Sequence, residues 1–367
     1  NAMGRAWRAG KETEGWIVLV RAAAPTQADF QDLDPSAAEL AVTSSLITDE
    51  ALHALAELEQ TLRNDEDAVF HPGSAAATDF ISFVWFVLAV EEDVGADLET
   101  VAIHEIVDST LAAQQSPQVR AACLPIAEAV RRAYVRADSD ERRRWPRTGT
   151  SIGSARTIDR MARRIADTIM AREQDRTLGD PLRVIRMLTP IIDQLLDLPE
   201  NTGTWRFRTS PQGADIDVKP TELLRGWLEG TSLSDLADQH LAAVVDPAYR
   251  IEQMVGAVTG YFEHYLAWTV GALIELVNAR LSNADAEGWL CPELGGYIRY
   301  GVRDPHALIL MTSGIRSRRL AHRIVRDTPA DLDSTKEALR SWLAELSLTE
   351  WRARYDASAS EVLDLLE

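Results

Sequence analysis

The segment from Pro247 to Leu281 constrains the fold of this chain more than any other. It continues for some 34 residues without an interior proline, and apolar residues recur along it. Because proline breaks helices, this segment predicts one helix that is long for a globular protein. The segment beginning Trp205-Arg206-Phe207-Arg208 alternates as a strand does, and the short apolar run from Trp16 to Val20 is typical of a buried strand. The sequence therefore predicts a mainly α, multi-helical fold with a small winged or β-ribbon element at residues 205–218.

Further helices are predicted on both sides of that segment. Thr48-Asp49-Glu50-Ala51 is expected to open a helix that continues through leucines at helical spacing. The apolar run Phe80 to Val90 is too short to span a membrane and predicts a buried core helix. An amphipathic helix is expected from Leu98 to Leu111. Two more are expected near the end, around Leu339 to Leu346 and Ser358 to Leu366.

Cysteine and histidine positions give no metal or disulfide framework. Cys123 and Cys291 are single and distant from each other. His104, Glu105 and Asp108 share a helix face, but without a second cluster we interpret them as a solvated surface. No apolar run reaches the roughly 18–20 residues that a membrane span needs, and no secretory signal is visible. We expect a cytoplasmic protein that makes no membrane contact.

The charges of this chain are unevenly distributed. The formal net charge is −19, which opposes general binding to polyanions. Between Ala121 and Met187, however, the sequence contains 15 arginines and 9 acidic residues. Between Arg299 and Asp327 it contains seven arginines and two acidic residues. Arginine is well suited to bidentate phosphate contacts and to base stacking. Local basic patches are therefore predicted despite the overall acidity.

A second feature is the predicted helical hairpin at residues 303–326. Gly314 provides the tight turn, and Ser317 is expected to cap the second helix. Its turn and second helix bear four arginines: Arg316, Arg318, Arg319 and Arg323. Backbone N–H groups and a positive helix N-terminus surrounded by arginines suit a phosphate, as in a helix-hairpin-helix nucleic-acid clamp. An ordinary αα-hairpin with a solvated arginine face would give the same pattern.

Another basic helix face is predicted after the stretch Arg147-Thr148-Gly149-Thr150-Ser151-Ile152-Gly153-Ser154. Arg156, Arg160 and Arg163 recur at helical spacing there. Such a face could hold a nucleic-acid backbone. The alternative is a solvated face whose arginines pair with Asp159 and Asp167.

A motif lies at the start of the sequence. It consists of Gly4-Arg5-Ala6-Trp7-Arg8, then Gly10-Lys11-Glu12-Thr13-Glu14-Gly15, and then the apolar run Trp16 to Val20. It resembles the sixth motif of superfamily 2 DEAD/DEAH-box helicases of the Ski type. That resemblance implies that Arg5 and Arg8 reach the ATP γ-phosphate as arginine fingers do. Trp7 stands where that family usually has glycine, and the motif's glutamine is missing. A flexible basic arm is the alternative interpretation.

Residues 223–326 are similar to the helical ratchet domain of the same helicases, because a W-x-x-G-x-S element, a long helix and a G-I-x-S-R hairpin follow in order. In that family the long helix lies along the translocated strand. The resemblance implies that Arg250 and Trp268 contact the nucleic-acid strand. An aromatic stripe at helical spacing, however, is more often part of a protein core. Residues 199–220 would be a linker or β-ribbon, residues 221–330 the ratchet-like helical domain that contains the hairpin, and residues 331–367 C-terminal helices.

Together these resemblances imply the nucleic-acid-binding C-terminal fragment of an ATP-dependent helicase. Residues 1–24 would be an expression-tag scar and the tail of a RecA-like lobe, and residues 25–198 a helical domain. ATP and Mg²⁺ would belong to the parent helicase, since no G-x-x-x-x-G-K-[ST] loop occurs in the chain. The expected partners are single-stranded or branched nucleic acid and the rest of the motor. A helical module that docks a partner protein is the alternative; an independent enzyme has the least support.

Overall fold

The computed structural model describes residues 43–171, 178–200, 205–284, 289–315 and 317–355, and these are mainly helical. The predicted multi-helical, mainly α fold is confirmed. Among the described residues, no helix is both long and apolar enough to cross a membrane. Nor does this part of the chain bring three or more His, Cys, Asp or Glu side chains together around a possible metal.

The first group of helices surrounds an aromatic core. Its helices are α1 (Asp49–Leu62), α2 (Ala75–Asp93), α3 (Ile103–Asp108), α4 (Leu111–Gln115), α5 (Pro117–Arg136), α6 (Ser139–Arg144) and α7 (Ile152–Met170), with 3₁₀ turns at Ser45–Ile47, Glu66–Phe70 and Trp145–Thr148. Trp85 lies at the centre, with its ring centroid 5.0 Å from that of Tyr134 and 5.4 Å from that of Trp145. All three rings are buried, so they stabilise this core through area and ring geometry together.

The second group of elements forms a larger core of aliphatic residues. Its elements are α8 (Pro181–Leu196), β1 (Phe207–Arg208), β2 (Asp215–Ile216), α9 (Pro220–Leu228), α10 (Leu233–His240), α11 (Pro247–Gly256), a π-helical segment (Ala257–Leu266), α12 (Ala267–Asn283), α13 (Leu294–Tyr300), α14 (Pro305–Thr312), α15 (Arg318–Asp327), α16 (Lys336–Ala344) and α17 (Leu348–Tyr355). Trp351 and Tyr355 of α17 are buried in this core, so the C-terminal helices pack back on the body.

Helix α7 joins the two cores. Ile152 and Ala155 lie in the first core, whereas Ile158 and the following apolar residues lie in the second. The division between the cores thus falls within α7. It does not coincide with the linker predicted at residues 199–220, whose Phe207 and Val218 are buried in the second core.

A buried ion pair crosses this junction. The Asp159 carboxylate of α7 accepts a hydrogen bond of 2.7 Å from the Arg280 guanidinium of α12, and one of 3.4 Å from the indole N–H of Trp145. The Asp159 side chain is 4% exposed, so it faces the core and not the exposed arginines of its own helix. A buried charge of this kind is tolerated only because it is paired.

The predicted long helix is present and contains an unpredicted π-helical segment. The chain stays helical from Pro247 to Asn283, through α11, the π-helical segment and α12. Its buried residues include Val258, Phe262, Tyr265 and Leu266, which recur at intervals of three and four. The helical spacing expected from the sequence therefore still describes the core side of this segment. The unpredicted feature is its wider, π-helical hydrogen-bonding pattern.

Several local predictions are confirmed. Residue Gly314 has φ 116°, and the Ser317 side chain accepts the Leu320 N–H at the start of α15. Thr48 caps α1 in the same way, through the N–H of Ala51. Strands β1 and β2 form the predicted antiparallel ribbon, with Phe207 opposite Ile216. The predicted helix at Ser358 to Leu366 lies outside the described residues.

Two helix predictions need correction. The expected helix from Leu98 to Leu111 is observed as α3 and α4, because Ser109 and Thr110 bond back to the carbonyls of α3 and Thr110 then caps α4. The run from Phe80 to Val90 is helical, but only one side of α2 is buried. Phe86 on the other side is 55% exposed.

Candidate nucleic-acid interface

A groove runs along one face of α12, between the 3₁₀ turn at Trp145–Thr148 and α13. Two adjoining cavities of about 530 and 320 Å³ form it. Four residues line both cavities: Arg147, Thr148, Ala272 and Glu275. The lining residues of α12 run from Ala267 to Ala279. At about 1.5 Å per residue this face is roughly 18 Å long.

Small residues let α12 and α13 cross closely at the floor of the groove. A Cβ at Gly295 would lie 2.5 Å from the carbonyl oxygen of Ala267 and 3.4 Å from the Cα of Gly271. Only glycine therefore permits the approach at this position. Because Gly271 and Gly296 also line the larger cavity without side chains, the floor stays open between the two helices.

Trp268 is fixed at the edge of this groove. Its indole N–H donates a hydrogen bond of 2.9 Å to the carbonyl of Thr148, although the two residues are 120 positions apart. Gly149 follows with φ 71°, and a Cβ there would lie 3.1 Å from the Trp268 ring. The indole is nevertheless 42% exposed. One polar contact thus orients a large aromatic surface that remains open to solvent.

Arginines supply the positive charge of the groove. Arg147 lines both cavities, is exposed, and has no ion-pair partner among the described residues. Arg144 lines the smaller cavity, and its buried Nε has no acceptor within this part of the structure. Arg143 lies 3.2 Å from Glu92. On the opposite wall, Arg299 is exposed and lines the larger cavity.

Carboxylates also line the groove, so it contains both positive and negative charges. Asp140 lies in the smaller cavity, Glu263 in the larger one, and Glu275 in both. Arginines bind phosphate oxygens, whereas carboxylates accept hydrogen bonds from the amino groups of bases. The groove therefore offers separate partners for a backbone and for bases, but not a continuous basic track.

The predicted basic face of α7 is largely occupied by contacts within the protein. Arg156 pairs with Asp67 at 3.4 Å, and Arg163 forms an ion pair with Glu141. Arg160 is exposed and forms no ion pair with any described residue. Two of the three arginines thus join α7 to other elements of the first group, the 3₁₀ turn at Glu66–Phe70 and α6.

In the helical hairpin, the Arg318 side chain makes contacts within the protein that stabilise the fold. Its guanidinium donates to the carbonyls of Trp227 at 2.7 Å and Thr231 at 2.6 Å, and lies 3.7 Å from the Trp227 ring centroid. These carbonyls lie at and beyond the C-terminal end of α9, where a cation is stabilising. Burial lowers the pKa of Arg318 to about 10.

The other predicted arginines are placed in different ways. Arg323 donates to a backbone carbonyl of α17 at 2.6 Å, while Arg319 is exposed. Arg250 donates to the Asp238 carboxylate at 2.6 Å and so joins α10 to α11. Three residues lie outside the described part of the chain: Arg5, Arg8 and Arg316. The structure therefore brings none of the described hairpin or α7 arginines into the groove beside Trp268.

Sequence reasoning identified Trp268 but missed its neighbours. Arg144 and Arg147 belong to the arginine-rich stretch before α7, which was noticed as charge without being assigned to a site. Arg299 begins the second arginine-rich stretch, but nothing in the sequence assigns it to this site. Only the packing of α12 against α7 and α13 places these residues together.

No family model matches this chain, and comparisons with curated proteins and with solved structures found no match. The functional inference therefore depends on the groove and on the sequence motifs alone.

Proposed function

We propose that this chain binds single-stranded nucleic acid in the groove along α12. The observation that carries the proposal is the pair formed by Trp268 and Arg147. An exposed indole held by the Thr148 carbonyl lines the same cavity as an unpaired arginine. Stacking aromatics with adjacent positive charge bind single strands without sequence preference.

In this mode a base stacks on the exposed face of Trp268. The flanking phosphates contact Arg147 on one wall and Arg299 on the other, since both guanidinium groups are exposed. Glu275 accepts a hydrogen bond from a base amino group. The net charge of −19 repels the rest of a polyanion. Binding should therefore be modest in affinity, strongly salt-dependent, and weaker for a duplex, whose bases are already stacked.

Fluorescence anisotropy with labelled oligonucleotides tests this proposal. Single-stranded DNA, single-stranded RNA and duplex DNA would each be titrated across a salt series. Trp268→Ala should weaken single-strand binding by about 1–3 kcal/mol, or roughly 5- to 150-fold, while Trp268→Phe keeps most of the affinity. Arg147→Ala should weaken binding to all sequences and reduce the salt slope by about one.

Arg160→Ala is the matched control, because Arg160 is an exposed arginine without an ion pair in the described structure and lies outside the groove. It should leave the affinity unchanged. Binding that survives both Trp268→Ala and Arg147→Ala would refute the groove as the site. A loss in Arg160→Ala alone would place the interface on the exposed face of α7 instead.

We further propose that the chain works as the strand-guiding part of an ATP-dependent superfamily 2 helicase. The motif around Arg5 and Arg8 supports this context. ATP and Mg²⁺ would be bound by the rest of the motor, and no step of ATP hydrolysis is assigned to this chain alone. Turnover of ATP should stay at background with and without single-stranded DNA. Stimulated turnover by the purified chain would refute this assignment.

A further inference from the structure

Helix α2 carries an apolar stripe on its solvent side. Phe83, Phe86, Val90 and Val94 are exposed, with Val94 at 76%. Their spacing of three, four and four residues places them on one helix face. The opposite face of α2 is buried in the first core, around Trp85. Single exposed apolar residues are ordinary, but a continuous stripe of this length marks an interaction surface.

The sequence around the stripe is acidic, and the two arginines that lie at the C-terminal end of α2, Arg142 and Arg143, are paired with Glu92. From residue 43 to residue 120 the chain carries 15 acidic residues against two arginines, a formal net charge of −13. Asp79 is exposed one turn before the stripe, and Glu91 lies between Val90 and Val94. Neither carboxylate has an ion-pair partner among the described residues. Asp93 and Asp97 place further negative charge on either side of Val94.

We propose that this face of α2, the α2 stripe, docks a basic amphipathic helix of a partner protein. Such a helix would place apolar side chains at i, i+3 or i+4, and i+7 against Phe83, Phe86 and Val90. Its lysines and arginines would lie opposite Asp79 and Glu91. A second copy of the chain would bring like charges together, and an anionic lipid surface would be repelled by the same carboxylates.

The stripe and the groove consist of different residues. The groove residues belong to α6, the Trp145–Thr148 turn, the π-helical segment, α12, Pro292 and α13. The two surfaces come near each other where Arg143, which lines the smaller cavity, lies 3.2 Å from Glu92 of α2.

Two synthetic peptides provide the test. Both are labelled 18-residue helices with leucines at i, i+3, i+4 and i+7. One carries lysines beside the leucines, and its twin carries glutamates at the same positions. Anisotropy titration against the full chain should show binding of the lysine peptide and at least tenfold weaker binding of the glutamate twin. Equal binding of the two peptides, or no binding of either, would overturn the proposal.

Substitutions separate docking from general attraction to an acidic protein. Phe86→Ala should weaken binding of the lysine peptide at least tenfold, because Phe86 lies at the centre of the stripe. Val94→Ala should weaken binding of this peptide several-fold. Val245→Ala is the control, because Val245 is 88% exposed and lies outside the stripe, and it should leave the affinity unchanged. An unchanged affinity in Phe86→Ala would overturn the proposal, since charge alone would then explain binding.

A charge-reversed variant keeps the test informative if Phe86→Ala disturbs the fold. In the double variant Asp79→Lys, Glu91→Lys, the preference should move from the lysine peptide towards the glutamate twin. Circular dichroism would verify that each variant is folded. Sedimentation of the chain alone gives the remaining outcome. Self-association that disappears in Phe86→Ala would overturn the proposal in favour of a second copy as the occupant.

Discussion

Glu92, near the end of α2, is held by three neighbouring side chains. The Arg142 guanidinium donates to its carboxylate at 3.0 Å, Arg143 lies 3.2 Å away, and the Tyr134 hydroxyl donates at 2.7 Å. The hydrogen bond from Arg142 is the main reason that the pKa of Glu92 is lowered from 4.5 to about 2. The carboxylate is 11% exposed, so solvent screens these interactions only weakly.

The lowered pKa converts directly into a stability that depends on pH. The folded protein binds the Glu92 proton more weakly than the unfolded chain does, so ionised Glu92 stabilises the fold. That contribution is complete above pH 4.5 and is lost as the pH falls towards 2. A shift from 4.5 to about 2 corresponds to roughly 3 kcal/mol at pH 7, decreasing to about 2 kcal/mol at pH 3.5.

Glu92→Gln removes the charge and keeps the size of the side chain. We expect the free energy of unfolding at pH 7 to decrease by about 3 kcal/mol, since two arginines also lose their counter-ion. Urea denaturation followed by circular dichroism at pH 7, 5 and 3.5 measures the difference from the wild type. Glu91→Gln is the matched control, because Glu91 forms no ion pair within the described residues.

The decisive quantity is how the difference between the two proteins changes with pH. It should decrease by about 1 kcal/mol between pH 7 and pH 3.5 for Glu92→Gln and stay near zero for Glu91→Gln. A difference of less than about 1 kcal/mol at pH 7, or one that increases on acidification, would refute the account of Glu92.

Three further substitutions test the packing, each by thermal and urea denaturation. Asp159→Asn should destabilise the fold by about 3–5 kcal/mol, because it leaves the partly buried Arg280 guanidinium without its counter-ion, whereas Asp167→Asn at an exposed site should be neutral. Gly153→Ala should cost about 1–3 kcal/mol or more, since a Cβ there would lie 2.0 Å from a backbone carbonyl oxygen. Arg318→Ala should cost about 2–3 kcal/mol through lost hydrogen bonds to the end of α9, while exposed Arg319→Ala should cost almost nothing.

Local features of this fold could be predicted because short-range chemistry determines them. Thr48 and Ser317 cap their helices through contacts three residues away, and Gly314 makes the turn that its lack of a Cβ allows. The helical periodicity around these positions needs no information from distant parts of the chain. The existence and approximate limits of most described helices follow from such patterns.

The candidate site could not be predicted, because long-range packing creates it. Arg318 and Arg160 look alike in the sequence, yet one donates to backbone carbonyls far along the chain and the other is exposed. Charge at helical spacing does not distinguish these two outcomes. Trp268 similarly required the Thr148 carbonyl, 120 residues away, before its orientation could be known.

The junction of the two cores connects stability to the proposed site. Asp159 binds both the Trp145 indole and Arg280, so it fixes the 3₁₀ turn at residues 145–148 against α12. That same turn carries Arg147 and provides the carbonyl that orients Trp268. The groove therefore exists only while α7 holds the two cores together. A buried ion pair is costly to place in a core. Here it lies beside the turn and the helix that bring Arg147 and Trp268, which are distant in the sequence, to the same cavity.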